Sequence, residues 1–537
     1  MLQKISHIGI RIMALCILGF LIANSFFYTQ RYGEEGTGEI LNGAPIYKEA
    51  DSVLLHILVI VVFVFLLWLQ SSEIGGGRFG AAGNKRAKIT LPKWAPIALQ
   101  SILALAGGVF SLCLLQDGMR PPMDDQIQVY SAAMLFNEGN FANLTPGGYV
   151  EMYPQQLGYI LYLQVLFRLF GTTSYVIVQK VNCIFIAGIL WTLFQVLNHY
   201  VHSNGVRILG SVLMALNLPI YFLHTWVYGD VPFFFFALVF LYLWLRTEEK
   251  IQADIKIHWT AIAGLLLTAC AMLLFRKNAL VVLLGAFLLL MLHGFIECKR
   301  VCIILSLGVI LVPLLLSHIV TVGYEKVSGY GPLRGLPGTC WIAMGMIEGQ
   351  SKPGWFNNYG VPTYYENDCD YEATAKQAKG MIGWKTQEFL DNPGMAVSFY
   401  KRKICTQWND PYYNTKDLIT GKGVVKEGIS GWLERRHKGV ERLLDAVQLL
   451  TYLGALFYVL FGIKKNLLSS LPELLLVGGF LFSILWEGNS RYIYPFVLII
   501  MPAAIYGWYV LYEKINNQII AEKHRKMVGE TAGRSEI

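Results

Sequence analysis

The chain has 537 residues, 55% of them hydrophobic and only 15% charged, with a mean hydropathy of +0.46 and a formal net charge of +8. A soluble domain cannot hide that much apolar surface, and several uncharged stretches are long enough to cross a hydrocarbon core about 30 Å thick as helices. The apolar runs are continuous, not alternating, which excludes a β-barrel. The basic residues gather in short loops, which suits orientation in a membrane and not nucleic-acid binding.

The first apolar run, 5–27, follows Lys4, lacks a small-residue cleavage site and exceeds a signal h-region, so it reads as a retained helix. Spans follow at 52–70 and 94–116. Next comes "RPPMDDQIQVYSAAMLFNEGNF", residues 120–141, in which Ile127, Tyr130 and Met134 recur at helical spacing and Gly139 ends the pattern. Asp124 and Asp125 open that helix. Such an acid either caps the helix by accepting an orphan backbone N–H or acts as a general base at the membrane surface. "GGYVEMYPQQLG", with Tyr153 and Pro154, leads into the apolar run 157–170. That run is about 21 Å long as a helix, short for a crossing, and it carries Gln164 and Arg168 on one face. It reads as an amphipathic helix lying in the membrane plane.

Further spans are predicted at 175–197, 207–227, 231–246, 258–275, 279–295, 301–322, 442–462, 468–486 and 493–512, giving twelve crossings. The basic loops then share one side, the cytoplasmic one: Arg78, Lys85, Arg86, Lys88 and Lys93; Arg246 and Lys250; Lys299 and Arg300; Lys464 and Lys465; and Lys523, Arg525 and Lys526 in the tail. The expected organisation is two N-terminal helices and a basic loop (1–93), a transmembrane core (94–322) with an outer loop at 117–174, a large outer segment (323–440), C-terminal spans (441–512) and a cytoplasmic tail (513–537). Of nine cysteines, only Cys340, Cys369 and Cys405 share a loop, so at most one disulfide is expected among them.

This map places Asp230, Arg276, Lys277, Glu487, Arg491 and Tyr492 at helix mouths on the outer face. Each has a bland reading: Asp230 as a cap, Arg276 and Lys277 as snorkelling cations, Glu487 and Arg491 as a local ion pair. Together they set acid and base on one face beside a large outer segment, and ionisable groups at membrane depth are functional candidates.

The order of these features carries a resemblance. An acidic pair (Asp124, Asp125), a tyrosine (Tyr130), a helical apolar run ending at Gly139, a Tyr153-Pro154 turn and a juxtamembrane helix closing on "LFRLFG" at Gly171 resemble the first outer loop of GT-C-fold glycosyltransferases. These are polyprenyl-phosphate-sugar-dependent enzymes that include protein O-mannosyltransferases and lipid A aminoarabinose transferases. "RYIYPFVLIIMPA" is similar to a late segment of that family, while "YPQQL" lacks the family's second proline. The resemblance spans about 95–285 and 470–510.

It implies an all-α polytopic membrane protein with a GT-C-like bundle of about twelve helices. It implies Asp124 as catalytic base, Asp125 in positioning, and Asp230 as a second acid of the same cavity. Arg276, Lys277 and Arg491 would hold the donor phosphate, with Glu487, Tyr492 and Tyr153 in support. The expected reaction is inverting transfer of a sugar from a polyprenyl-phosphate donor to a hydroxyl of a polymer, glycolipid or protein, on the outer face of the plasma membrane. A leaving group with a single phosphate calls for no metal, and no other cofactor is expected. The rival reading is a transporter or flippase of a lipid-linked sugar, which wants its polar groups near mid-membrane on broken helices. In 323–440, "LPGTCWIAMGM" and "CTQWNDPYY" read as cavity-lining or acceptor-facing stretches, or as interfacial loop.

Overall fold

The computed structural model describes residues 2–31, 47–50, 52–71, 92–117, 120–349, 352–420, 427–462 and 466–534. Most of the basic loop 71–93, with Arg78, Lys85, Arg86 and Lys88, and the pair Lys464 and Lys465 lie outside the described residues. The protein is an all-α, multi-pass membrane protein. Its one small sheet among the described residues is an antiparallel ribbon, β1 (Tyr28–Arg31) with β2 (Tyr47–Ala50).

Among the described residues, nine helices are long and apolar enough to cross a membrane. They are α1 (Leu2–Phe27), α3 (Ala95–Asp117), α7 (Tyr175–Tyr200), α10 (Asp230–Gln252), α12 (Ala279–Ile296), α13 (Arg300–Ser328), α20 (His437–Phe461), α21 (Leu471–Leu485) taken with the 3₁₀ turn Leu467–Ser470 before it, and α22 (Ser490–Arg534), whose spanning part is Ser490–Ile519. Two shorter apolar stretches, Val53–Leu69 of α2 (Val53–Ser71) and α11 (Trp259–Phe275), fall where spans are predicted. The span predicted at 207–227 is broken: α8 (Asn204–Ala215) meets α9 (Pro219–Phe222) at a bend of 44°. Pro219 has no N–H to continue the ladder and clashes with the preceding turn, so the helix restarts there.

α22 is the most buried span and α13 the least. On α13, Ile304, Leu311, Leu315 and Ile319 are exposed at helical spacing. Such a stripe suits a helix that faces lipid.

Between α3 and α7 the chain forms α4 (Asp125–Asn137), α5 (Tyr149–Met152) and α6 (Leu157–Phe170). α6 has the limits expected of the in-plane helix, but its polar face is spent on protein. Gln164 donates to Asn137 Oδ1 at 3.2 Å and accepts from the Tyr324 hydroxyl, and Arg168 Nε donates to Asn137 Oδ1 at 2.9 Å.

The segment 323–440 is largely helical: α14 (Gly338–Met346), α15 (Gly360–Glu366), α16 (Tyr371–Asp391), α17 (Pro393–Trp408), α18 (Asp417–Thr420) and α19 (Gly428–Arg435). It docks on the α5 turn through Met152, Leu336 and Tyr364, with Leu336 N donating to Met152 O at 2.9 Å. The interfacial-loop reading of "CTQWNDPYY" does not hold. Trp408, Asn409, Asp410, Tyr412 and Tyr413 are buried, and the Tyr452 hydroxyl of α20 donates to Trp408 O at 2.6 Å. All nine cysteines are free thiols, so the possible disulfide of this segment is not formed.

Candidate active site

α10 begins, α11 ends, α12 begins, α21 ends and α22 begins at one end of the bundle. The charged residues singled out from the sequence converge there. Asp230, in the first turn of α10, is 2% exposed. It does not cap its own helix: Oδ2 accepts from the indole Nε1 of Trp226 at 2.8 Å. Arg276, which caps α11 in extended backbone, places Nε 3.5 Å from Asp230 Oδ1. Arg491, from the start of α22, places Nε 3.8 Å from Asp230 Oδ2. One buried carboxylate thus faces two buried guanidinium groups.

Both guanidinium groups rest on aromatic faces. Arg491 lies 4.0 Å from the centre of the Trp226 ring, and Arg276 lies 4.8 Å from Tyr228 and 5.4 Å from Tyr492. Such faces hold a cation without consuming its N–H donors. Arg491 Nε is buried and has no hydrogen-bond partner among the described residues. Lys277, next in sequence, is exposed, and burial of its surroundings lowers its ammonium from the usual value.

Two more carboxyls complete the ring. Glu487 lies in the turn between α21 and α22 and is buried. Burial, with Asp125 facing it, pushes its carboxyl up to about 7, against Arg491, Arg276 and Lys403. It is not an ion pair four apart on one helix, since the helix breaks between Leu485 and Ser490 and Arg491 turns to Asp230. Asp125, exposed in part, lies beside Tyr149 and this charged cluster. Burial raises its carboxyl above the usual range, opposed by Tyr149, Arg491 and Arg276.

Asp124 differs from its neighbour. It occupies the N-cap position of α4 yet makes no capping bond, and its backbone stands at φ 49°, ψ −129°. A non-glycine residue rarely adopts this region, which costs on the order of 1–3 kcal/mol and persists only where the surroundings enforce it. Its side chain is exposed at the rim of the recess, on the side of Arg120.

Tyr153 is half-buried, tilted against Tyr149 (4.9 Å) and edge-on to Trp341 of α14 (6.1 Å). Trp341 in turn stacks on Trp486, 5.8 Å away at 10°. "LPGTCWIAMGM" therefore contributes an aromatic wall beside the charges.

The structure also brings in residues that the sequence reading left out: Trp226, Tyr228, Tyr149 and Lys403. "WVYGD" announces Trp226 and Tyr228 beside Asp230, but which cation they face depends on helices far away in the chain. Among the described residues no group of three or more His, Cys, Asp or Glu is arranged to hold a metal ion.

No family model matches the chain. No curated protein matches it either. Among solved structures, it is similar to the archaeal oligosaccharyltransferase AglB from Archaeoglobus fulgidus, in complex with an inhibitory peptide and a dolichol-phosphate. The identity is 13%, with 80% of this chain and 52% of that one covered and a TM-score of 0.42. A second structure, of the Archaeoglobus fulgidus oligosaccharyltransferase tethered to an acceptor peptide, is 12% identical over 79% of this chain and 50% of that one, with a TM-score of 0.41. The chain spans about half the length of each.

Proposed function

We propose that this protein is a membrane glycosyltransferase of GT-C type that moves a sugar from a polyprenyl-phosphate donor to an acceptor hydroxyl, with inversion, on the outer face of the membrane. The observation that carries the reading is the pair of buried arginines converging on Asp230, one with an unpartnered Nε, with Asp124, Asp125 and Glu487 nearby. A site with that balance suits a ligand that is anionic at one end and reacts at the other.

Arg276 and Arg491, with Lys277 at the rim, hold the donor phosphate, and planar guanidinium forks meet phosphate oxygens bidentately. The bond between the anomeric carbon and the phosphate oxygen breaks, and its electron pair leaves with the phosphate. Fixed cations there stabilise the growing charge. The acceptor oxygen bonds to the anomeric carbon from the opposite face, and its proton passes to Asp124. Asp125 and Asp230 are already engaged, with Tyr149 and with Trp226 and the arginines respectively. Asp124 is exposed and spends its carboxylate on no helix cap, which leaves it open to an incoming hydroxyl, and its unusual backbone motivates the assignment. Tyr153 and Tyr492 line the recess, and Glu487 sets its charge.

A transporter would carry its polar groups near mid-membrane; this cluster lies at helix ends. The test is incubation of the purified protein with a panel of polyprenyl-phosphate sugars. Release of polyprenyl phosphate from one of them supports the reading, and survival of every donor in the presence of varied hydroxyl acceptors overturns it.

A further inference from the structure

The turn that carries Glu487 and leads into Arg491 is cast by the segment 323–440. Lys403, on α17, is fully buried. Its ammonium donates to Gly345 O at 2.6 Å, Ile484 O at 2.8 Å and Trp486 O at 2.7 Å. Gly345 lies in the last turn of α14, and Ile484 and Trp486 lie at the end of α21. Carbonyls there have no partner within their own helix and carry the negative end of the helix dipole. Three acceptors thus meet the three donors of one ammonium, and a cation closes two helix C-termini at once.

The socket is shaped for this side chain. A Cβ on Gly345 would lie 2.9 Å from Lys403 Nζ, and one on Gly354, whose φ is +70°, would lie 2.7 Å from both Cδ and Cε. Neighbouring contacts reinforce the hold. Gln407, one turn along α17, donates to Ser483 O at 3.2 Å and accepts from Asn489 N at 3.3 Å. Gly488 N donates to Gly354 O at 2.6 Å, and Ser490 Oγ donates to Asp410 at 2.6 Å.

We propose that Lys403 is a positioning residue: by clamping the ends of α14 and α21 it fixes the turn 486–489, so that Glu487 and Arg491 face Asp125, Arg276 and Asp230. The role in catalysis rests on the glycosyl-transfer reading above; the clamp itself does not. Glu487 is faced by Asp125 from α4, Arg276 from the end of α11, Arg491 from α22 and Lys403 from α17, with Tyr153 and Tyr492 nearby. Lys403 is therefore also one of three cations that keep Glu487 from losing its charge altogether.

The test is backbone hydrogen–deuterium exchange of full-length protein in detergent, comparing wild type, Lys403→Met and Gly354→Ala. Gly354→Ala displaces the lysine stem without removing the charge, and it carries the test if Lys403→Met does not fold. Exchange in the peptide 484–491 should quicken at least tenfold in either variant, with the start of α4 and of α10 unchanged. Unaltered exchange in 484–491, or equal quickening throughout the chain, overturns the clamp whether or not a donor is ever found. Where the donor is known, transfer should also fall at least tenfold through kcat, and a loss confined to KM would contradict positioning.

Discussion

The Nε of Arg491 lies 3.8 Å from Oδ2 of Asp230, too far for a charged hydrogen bond of about 2.7–2.9 Å. Asp230 balances this guanidinium without binding it. The face of Trp226 fixes its plane, and an N–H remains for a ligand. Arg491→Ala should therefore lower kcat/KM for the donor by about a hundredfold, on the scale of losing one preorganised donor to a developing oxyanion. Arg491→Lys should recover little, because a point charge lacks the fork. Steady-state kinetics with varied donor checks this, and a lysine variant of full activity would remove the bidentate contact.

Trp226→Phe keeps a ring under Arg491 but removes the indole N–H that bonds Asp230. A buried carboxylate left short of one donor costs about 1–3 kcal/mol. The thermal midpoint should fall, and donor KM should rise as Asp230 draws the arginines closer to itself. A variant with an unchanged midpoint and unchanged KM would show that the bond does no positioning.

What the sequence disclosed and what it withheld follow from the range of the interactions. Apolar runs are local signals, so helices appear at the expected spans, the one at 207–227 broken at Pro219, and Leu157–Phe170 forms as a short helix with a polar stripe. The acids and arginines were legible as a set because unpaired charge at a helix end is conspicuous. Their partners were not, since Asp230 to Arg491 is a contact between residues 261 positions apart in number, fixed only once α10 and α22 pack.

Lys403 is buried with no local sign of it in the sequence. In "KRKIC" it looks like one of three surface cations, yet Phe399, Lys403 and Gln407 recur every four residues on one face of α17, and all three are buried. Lys403 and Gln407 are polar, so no apolar period marks them as packed; their burial follows from the contacts with α14 and α21. Asp124 shows the reverse. Its position before an apolar helix suggests a cap, and only the backbone angles reveal that it is not one.

Stability should depend on pH through the same turn. Burial raises Glu487 from 4.5 to about 7, so between those values the folded protein holds more protons than the unfolded chain and stability falls as pH rises. Burial lowers Lys403 from 10.5 to about 7, opposed by Glu487. In that upper window the folded protein holds fewer protons, and stability rises with pH. Glu487→Gln should flatten the acid limb of the thermal midpoint, and Lys403→Met the alkaline limb. Profiles that match wild type on both limbs would show that neither group changes its affinity for protons on folding.

The most direct test of the mechanism compares sugar transfer by wild type, Asp124→Asn and Asp125→Asn with the donor that wild type consumes. A general base contributes about 10²- to 10⁴-fold. Asp124→Asn should lose at least a hundredfold in kcat with donor binding intact, and Asp125→Asn should lose less. Near-normal transfer by Asp124→Asn, or a loss confined to Asp125→Asn, would contradict the assignment of proton acceptance to Asp124.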